Sequence, residues 1–300
     1  MKILIIGGTR FIGKKLLNLI NKKNNKITVI SNSKRKKPSG LRYINLNREK
    51  GIEKLKHEHF DLCFDFISYK KSDPSDLLKN VIISKYIFIS TTWIPMYFKM
   101  KANKICRFSS KRINQKNIRP ETINYLKGKI NAELELKKYK ALGYNVYIVR
   151  LPITLGDNDH TKRLDFYFNK IKKNKKIFLY KNLDNYVQLC WNEDIARALL
   201  IWSKKDLTKK NDLIWEFLPL ESIKLNKLIQ YICLFSKTKF EYSLEKLKNI
   251  QKNYSNYLYD EPFYRENKMK LTNNNIFKYI KYKPTNYKFF IKKILNKKYK

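Results

Sequence analysis

Two side chains in the stretch NYLKGKINAE have the types and the spacing of a proton-transfer pair. Tyr125 and Lys129 are four residues apart, so a helix would place them on one face. A phenol with a pKa of about 10 is a poor base at neutral pH, but a neighbouring ammonium stabilises the phenolate. Such a pair could remove a proton from a substrate hydroxyl or return it. The chain also contains 21 tyrosines and many lysines, so an exposed surface pair is the alternative explanation.

Hydroxyl side chains end the apolar stretch that precedes this pair. FISTTW carries Ser90, Thr91 and Thr92 where a buried strand is expected to end. A hydroxyl at the carboxyl edge of a sheet could bind the same substrate oxygen as Tyr125. An ordinary turn made by Ser or Thr at the end of a strand would explain the same residues.

The first thirteen residues, MKILIIGGTRFIG, have the pattern of a phosphate-binding turn. An apolar strand runs into glycines, and Gly7 and Gly13 have the spacing of the first and last glycine of G-x-x-G-x-x-G. Unpaired N–H groups at the start of the following helix would face a dinucleotide pyrophosphate, and glycines would let it approach. A plain tight turn is the alternative, and Arg10 in the middle could contact the cofactor or damage the site. The predicted contacts in this turn are Gly7, Gly8, Thr9, Arg10, Phe11, Ile12 and Gly13.

The residues after the second predicted strand indicate which dinucleotide would bind. NAD enzymes commonly hold the adenosine ribose with a carboxylate at this point, whereas the strand KITVIS is followed by NSKR. A cationic loop without an acid suits the 2′-phosphate of NADP, so we expect NADP in preference to NAD. The predicted cofactor contacts outside the glycine turn are Ser31, Asn32, Arg35, Asn47, Tyr125 and Lys129.

Apolar strands alternate with amphipathic helices through the first half of the chain. The strand-like segments are KILII, KITVIS, LRYINLN, FDLCFDFIS, SKYIFIST and YNVYIVRLP, and the longest helical pattern ends at Gly143. This order predicts an α/β fold with a Rossmann-type doubly wound parallel sheet. This regular alternation of strands and helices ends at about residue 155. We therefore expect an NAD(P)-binding domain over 1–155 and a smaller α+β substrate-binding region over 156–300, partly interleaved with the first.

The chain is strongly basic, with 66 Lys and Arg against 25 Asp and Glu and a formal charge of +41. A nucleic-acid or anionic-membrane partner could account for such a charge. However, only 11 of the basic residues are Arg, and the lysines are spread along the whole chain among many Asn and Ile. We therefore favour a compositional origin and do not favour a nucleic-acid partner.

Several other classes of protein are disfavoured by the sequence. It contains no apolar run of the roughly 18 residues that a membrane span needs. Cys63, Cys106, Cys190 and Cys233 are scattered, and the few histidines have no third partner, so we expect neither disulfides nor a metal site. Free thiols and the lack of a signal peptide predict a cytoplasmic protein.

Taken together, these stretches resemble the extended short-chain dehydrogenase/reductase superfamily, in particular its NAD-dependent epimerase/dehydratase family. GGTRFIG is similar to the family's opening fingerprint, YIFISTT to its serine/threonine strand and YLKGK to its Tyr-x-x-x-Lys motif. The resemblance implies that Tyr125 is the catalytic acid/base, that Lys129 tunes it and holds the ribose, and that Thr91 positions the substrate oxygen. It further implies hydride transfer with NAD or NADP on a hydroxylated small molecule, a nucleotide-sugar, and is compatible with a homodimer.

The chain also departs from the family pattern. Thr91 replaces a more common serine, Trp191 stands where a smaller or polar residue is usual, and the acid after the second strand is missing. No acidic pair lies near Thr91, which disfavours a dehydratase. The arginine variant of the fingerprint also occurs in relatives that bind RNA on the same fold, so a non-catalytic RNA-binding or cofactor-sensing protein is the alternative.

Charged and imidazole side chains in and after the sixth strand are further candidates. They could contact substrate or have structural roles, and they are Arg150, Asp157, Asp159, His160 and Arg163.

Overall fold

The computed structural model describes residues 1–33, 39–99, 101, 104–109, 119–180, 186–253, 262 and 272–298. The strands in these ranges are β1 (Lys2–Ile6), β2 (Lys26–Ile30), β3 (Arg42–Ile44), β4 (His59–Phe60), β5 (Leu62–Asp65), β6 (Ile82–Ile83), β7 (Tyr86–Thr91), β8 (Val146–Leu151), β9 (Ile153–Leu155), β10 (Phe178–Tyr180), β11 (Tyr186–Val187), β12 (Leu189–Trp191), β13 (Ile214–Glu216), β14 (Ile223–Lys224) and β15 (Ser243–Glu245). The helices are α1 (Phe11–Leu19), α2 (Arg48–Glu53), α3 (Ser72–Asn80), α4 (Trp93–Tyr97), α5 (Pro120–Ala141), α6 (Arg163–Lys172), α7 (Asn192–Ser203), α8 (Leu225–Ser236), α9 (Leu247–Asn253), α10 (Ile276–Tyr279) and α11 (Tyr287–Lys298).

A seven-stranded sheet in the order β13-β8-β7-β5-β1-β2-β3 forms the centre of the molecule. Every neighbouring pair in this sheet is parallel. Such a sheet must be covered on both faces, and β1 shows why the sequence permits this, since four consecutive residues, Ile3–Ile6, are buried. The predicted α/β fold with a doubly wound parallel sheet is confirmed. The strand order reverses between β1 and β5, and ligands bind at the carboxyl ends of strands at such a point.

Helices cover the two faces of the sheet. Ile3 and Ile5 of β1 belong to a core that includes Leu16 of α1 and Trp202 of α7. Residues that alternate with them along β1 belong to a second core, which includes Leu77 of α3 and Leu136 of α5. Both α1 and α5 are therefore fixed against the sheet by buried apolar side chains, and they carry the predicted site residues.

A smaller cluster is built from the second half of the chain. Its apolar core joins α6, α8 and α11 to β9 and β12. β13 also comes from this half of the chain, but it lies at the edge of the large parallel sheet. The second half thus contributes both to the main sheet and to the separate small core.

Several short elements were not predicted from the sequence. They include α2, α4 and the C-terminal helix α11, in which Phe290, Ile291, Ile294 and Leu295 are buried although lysines surround them. The basic, weakly patterned stretch 99–119, for which the sequence predicts a loop, lies largely outside the described residues. Within the described ranges, no helix has both the length and the apolar character that crossing a bilayer requires.

Candidate active site

The glycine turn lies at the point where the strand order reverses, between the end of β1 and the start of α1. Gly7 has φ +77°, a left-handed conformation that favours glycine. A Cβ on Gly13 would lie 2.5 Å from Cα of Gly8, so the helix packs on the turn at a distance that only glycine permits. The first helical hydrogen bond is donated by the Lys14 N–H to the Arg10 carbonyl. The preceding N–H groups of the helix therefore have no acceptor within it.

Two non-glycine residues complete this turn. Phe11 has φ +46°, a conformation that costs a bulky residue about 1–3 kcal/mol and is concentrated at functional sites. Its ring meets His160 edge-on, with centroids 6.5 Å apart. Arg10 has an extended backbone and an exposed side chain. The arginine therefore fits the turn without occupying the space between the strand and the helix.

Small hydroxyl residues lie at the end of β2. Ser31 is buried, and its hydroxyl lies 3.1 Å from that of Thr9. Asn32 is exposed. Asn47 is the N-cap of α2, and its side chain accepts a hydrogen bond from the N–H of Lys50. Arg35, the remaining residue predicted to contact the cofactor, lies outside the described residues.

A cavity of about 400 Å³ opens at the carboxyl ends of β5, β7 and β8. Thr91, Tyr125 and Lys129, the three predicted catalytic residues, all line it, as do Phe11 and Ile12 of the glycine turn. Its other lining residues are Phe66, Tyr69, Ile89, Ser90, Trp93, Glu121, Thr122, Leu151, Pro152, Ile153, Thr154, Asp159, His160, Thr161 and Arg163. The fold thus brings the strand, helix and glycine-turn motifs of the sequence to one cavity.

Tyr125 and Thr91 are in direct contact in this cavity. Burial raises the pKa of the Tyr125 phenol, while its hydrogen bond with the Thr91 hydroxyl and the charge of Arg163 lower it. The net shift is upward, so the phenol is protonated at neutral pH. The Thr91 oxygen also accepts a hydrogen bond from the N–H of Trp93, at 3.2 Å. This second bond fixes the position of the Thr91 side chain.

Lys129 is almost completely buried, with 2% of its surface exposed. Its ammonium donates to the carbonyl of Ile89 at 2.8 Å and lies 4.5 Å from the ring centroid of Tyr69. The same nitrogen lies 5.9 Å from the ring centroid of Tyr125. Burial lowers the pKa of Lys129 to about 7, although the charge of Asp65 opposes the shift. The amine therefore changes its charge near neutral pH.

Glu133 continues the line of Tyr125 and Lys129 along α5 at the same four-residue spacing. Its carboxylate accepts hydrogen bonds from the side chains of Arg150 and Ser90, and the Glu133 and Arg150 side chains are fully buried. Arg150 is therefore a structural residue and does not line the cavity. Sequence analysis did not identify Glu133, although its spacing from Lys129 was a usable signal.

A second buried network supports the wall formed by the loop after β5. Asp65 is fully buried and accepts hydrogen bonds from Arg48 at 2.8 Å, Tyr86 at 2.7 Å and Ser68 at 2.8 Å. Arg48 also donates to the carbonyl of Asp73 at 2.7 Å. These bonds hold the segment 65–73, which includes Tyr69. No sequence motif had pointed to this network.

The loop after β9 contributes both cavity residues and structural residues. Asp159, His160, Thr161 and Arg163 line the cavity. Asp157 instead pairs with Lys15 of α1 at 3.3 Å and with Lys297 of α11 at 2.5 Å. Of the two carboxylates predicted here, only Asp159 is therefore positioned to meet a ligand in this cavity.

Trp191 does not line this cavity. Trp191 is buried, stacks on Phe290 with ring centroids 6.3 Å apart, and lines a smaller cavity of about 200 Å³. Nζ of Lys293 lies 4.7 Å from the Trp191 ring centroid. Among the described residues, no group of three or more His, Cys, Asp and Glu side chains could hold a metal ion. None of Cys63, Cys106, Cys190 and Cys233 forms a disulfide bond.

Comparison with known families gives one match to a family model. A model of the NAD dependent epimerase/dehydratase family matches residues 3–214. No curated protein sequence matches the chain.

Solved structures of nucleotide-sugar enzymes share the fold over nearly the whole chain. UDP-glucose 4-epimerase from Thermotoga maritima, solved with UDP-glucose, has a TM-score of 0.66 and 14% identity, covering 99% of this chain and 98% of that one. dTDP-glucose 4,6-dehydratase from Bacillus anthracis, solved with NAD, has a TM-score of 0.66 and 13% identity, covering 99% and 96%. UDP-glucuronic acid 4-epimerase from Bacillus cereus, solved with UDP-glucuronic acid and NAD, has a TM-score of 0.64 and 15% identity, covering 99% and 98%.

Proposed function

The chain belongs to the NAD-dependent epimerase/dehydratase family, whose members are enzymes of the extended short-chain dehydrogenase/reductase type, and we propose that it oxidises a hydroxyl group of a nucleotide-sugar to a carbonyl, or reduces such a carbonyl to a hydroxyl. The observation that carries this proposal is the single cavity lined by Thr91, Tyr125 and Lys129 beside the glycine turn. Such an arrangement combines a proton donor, a positioning hydroxyl and an amine at one point. A protein that only binds RNA has no use for this combination, so the non-catalytic alternative is not favoured.

The glycine turn fits a dinucleotide. Unpaired N–H groups at the start of α1 suit a pyrophosphate, and the contact of Gly13 with Gly8 leaves no side chain in its way. We assign the pyrophosphate to the backbone of 7–13 and the ribose next to the nicotinamide to Lys129. When bound, the nicotinamide would supply hydride transfer.

The preference for NADP is a separate part of the proposal. The end of β2 offers the hydroxyls of Ser31 and Ser33 and the amide of Asn32, where a carboxylate would repel a 2′-phosphate. Solved relatives with NAD support a nicotinamide dinucleotide in general. We therefore expect both cofactors to bind and NADP to bind more tightly.

Tyr125 exchanges a proton with the substrate oxygen. Its raised pKa keeps the phenol protonated, so the resting residue is ready to donate to a carbonyl oxygen. Thr91 touches the phenol and can hydrogen-bond the same substrate oxygen. In the oxidative direction Tyr125 must lose its proton, and a protonated Lys129 favours this by stabilising the phenolate.

Residues next to Thr91 favour an epimerase or reductase over a dehydratase. Eliminating water needs an acid and a base beside the oxidised carbon. Thr92 and Trp93 follow Thr91, and the carboxylates that line the cavity, Glu121 and Asp159, belong to other elements. We therefore propose that the reaction is limited to interconversion of a hydroxyl and a carbonyl by hydride transfer, without elimination of water.

The test is turnover of nucleotide-sugars by the wild type and by Tyr125→Phe, with NAD or NADP present. Loss of the phenolic proton should reduce the rate at least about 100-fold, because general acid–base groups contribute 10²–10⁴-fold. Cofactor affinity, measured by fluorescence of NADH and NADPH, should change less than about twofold. Tyr144→Phe is the matched control, since Tyr144 is an exposed tyrosine just after α5.

The outcomes separate the parts of the proposal. Unchanged turnover in Tyr125→Phe would remove Tyr125 from its role. Failure of the wild type to bind either cofactor would contradict the enzyme assignment itself. Equal affinity for NADH and NADPH would remove only the NADP preference.

A further inference from the structure

Arg163 is the cation of the cavity wall that faces the candidate catalytic residues. It is the first residue of α6, and its side chain is half-buried. It lines the same cavity as Thr91 and Tyr125. Its charge is close enough to the phenol to influence the pKa of Tyr125. The guanidinium therefore shares a cavity with the phenol proposed to exchange a proton with the substrate oxygen.

Aromatic and hydroxyl contacts orient this guanidinium. Its central carbon lies 5.5 Å from the ring centroid of Trp93, a distance typical of a cation–π contact. A terminal nitrogen donates to the hydroxyl oxygen of Thr161 at 2.6 Å, and Thr161 is in turn held by Asp159. Trp93 is bonded through its N–H to Thr91. A chain of contacts thus connects the guanidinium to the candidate catalytic hydroxyl.

This arrangement determines which chemical groups this wall of the cavity offers to a substrate. The guanidinium lies over the Trp93 ring and both side chains line the cavity, so this part of the wall carries a planar cationic group beside an aromatic ring. A guanidinium binds carboxylate and phosphate oxygens in pairs through its planar fork of N–H donors and is more weakly hydrated than an ammonium. Partial burial reduces solvent screening and strengthens the attraction for an anion.

We propose that Arg163 binds an anionic group of the substrate, a carboxylate or a phosphate, next to the hydroxyl that reacts. This inference rests on the proposed function, because it requires the substrate to enter the cavity of Tyr125. Arg163 would then be a specificity-determining residue that selects substrates carrying such a group. A sugar carboxylate and the phosphates of the nucleotide are the two sources of this chemistry.

The experiment measures binding of UDP, UDP-glucose and UDP-glucuronate by titration calorimetry, with saturating NAD present. The variants are Arg163→Met, Arg163→Lys and the control Lys173→Met, which removes one charge from the exposed far end of the same helix. Arg163→Met should weaken binding of the anion at least about tenfold, the value of one charge-assisted hydrogen bond. Arg163→Lys should recover only part of the affinity, and Lys173→Met should match the wild type.

The pattern of losses identifies the source of the anion. If Arg163 binds a sugar carboxylate, only UDP-glucuronate loses affinity in Arg163→Met. If it binds phosphate, all three ligands lose affinity together. Changes below about twofold for every ligand would overturn the inference and leave the proposed function intact. Binding of NAD without binding of any uridine ligand by the wild type would reject both the nucleotide-sugar substrate proposed above and this role of Arg163.

Discussion

Arg150 of β8 donates hydrogen bonds from its guanidinium to both carboxylate oxygens of Glu133 on α5, and both side chains are fully buried. Glu133 lies about one helical turn after Lys129 and about two turns after Tyr125, on the same face. The ion pair therefore fixes the rotation and the axial position of α5 against the sheet. Tyr125 reaches Thr91 because the helix that carries it is held there.

Replacing Glu133 by Gln should destabilise the protein by about 3–5 kcal/mol, because it leaves the Arg150 charge buried without its carboxylate. The free energy of unfolding, measured by urea denaturation, checks this. Where the variant folds, we expect kcat to fall more than KM rises, since Tyr125 is displaced from the reacting atom. Glu135→Gln is the matched control. Glu135 pairs with the exposed Lys138, so its loss should cost less than about 1 kcal/mol. Equal costs for the two variants would show that burial of the pair has no special effect.

Gly13→Ala should weaken cofactor binding with only a moderate loss of stability. The added methyl group would lie 2.5 Å from Cα of Gly8, so the turn or the start of α1 must move. Fluorescence titration with NADPH measures the effect, and we expect affinity to fall at least about tenfold. Gly143→Ala is the control, because a Cβ there meets nothing within 4 Å and only its φ of +86° opposes the change. Normal NADPH affinity in Gly13→Ala would place the pyrophosphate elsewhere.

Lys129 makes stability depend on pH above neutrality. Burial lowers the pKa of this amine to about 7 from its ordinary value near 10.5, so between these values the unfolded chain binds the extra proton. Stability must therefore rise with pH in this window. The free energy of unfolding of the wild type should increase by about 2 kcal/mol between pH 7 and 9 relative to that of Lys129→Met, which lacks the titrating group. Parallel stability curves for the two proteins would show that Lys129 remains protonated in the fold.

Asp65→Asn should destabilise the fold in a manner that depends on acid pH. Burial alone would raise the pKa of Asp65, but the Arg48 guanidinium and the hydrogen bonds hold it below its usual range. The carboxylate therefore contributes stability that is complete above about pH 5 and is lost as pH falls through its folded pKa. We expect the difference in unfolding free energy between wild type and Asp65→Asn to be largest at pH 6 and to shrink at pH 3. A constant difference would mean that Asp65 is already neutral in the fold.

The parallel sheet and the glycine turn could be predicted because their signals are local. A buried parallel strand is a short apolar run, and the turn that follows β1 needs glycine at defined positions. Tyr125 and Lys129 share a helical face by spacing alone. Their meeting with Thr91 followed from the order of the elements, which places the ends of neighbouring parallel strands at one edge.

The supporting networks could not be predicted because they depend on register between distant segments. Glu133 and Arg150 meet only because β8 pairs with β7 so that Arg150 lies opposite Ser90. Asp65 is one of 25 acidic residues, and nothing nearby in the sequence shows that Arg48 will pair with it. The helix α11 was not predicted because the lysines between its four buried apolar residues make the segment look polar in the sequence.

The pairing of Asp157 with Lys15 and Lys297 has a consequence for folding during translation. Its partners are 142 and 140 residues away along the chain. During translation, Lys15 is synthesised before Asp157, whereas Lys297 is synthesised after both Asp157 and α5. The loop next to the cavity is thus secured at both sides only after α11 has been synthesised, so the nascent chain would form its glycine turn before this cavity wall is fully anchored.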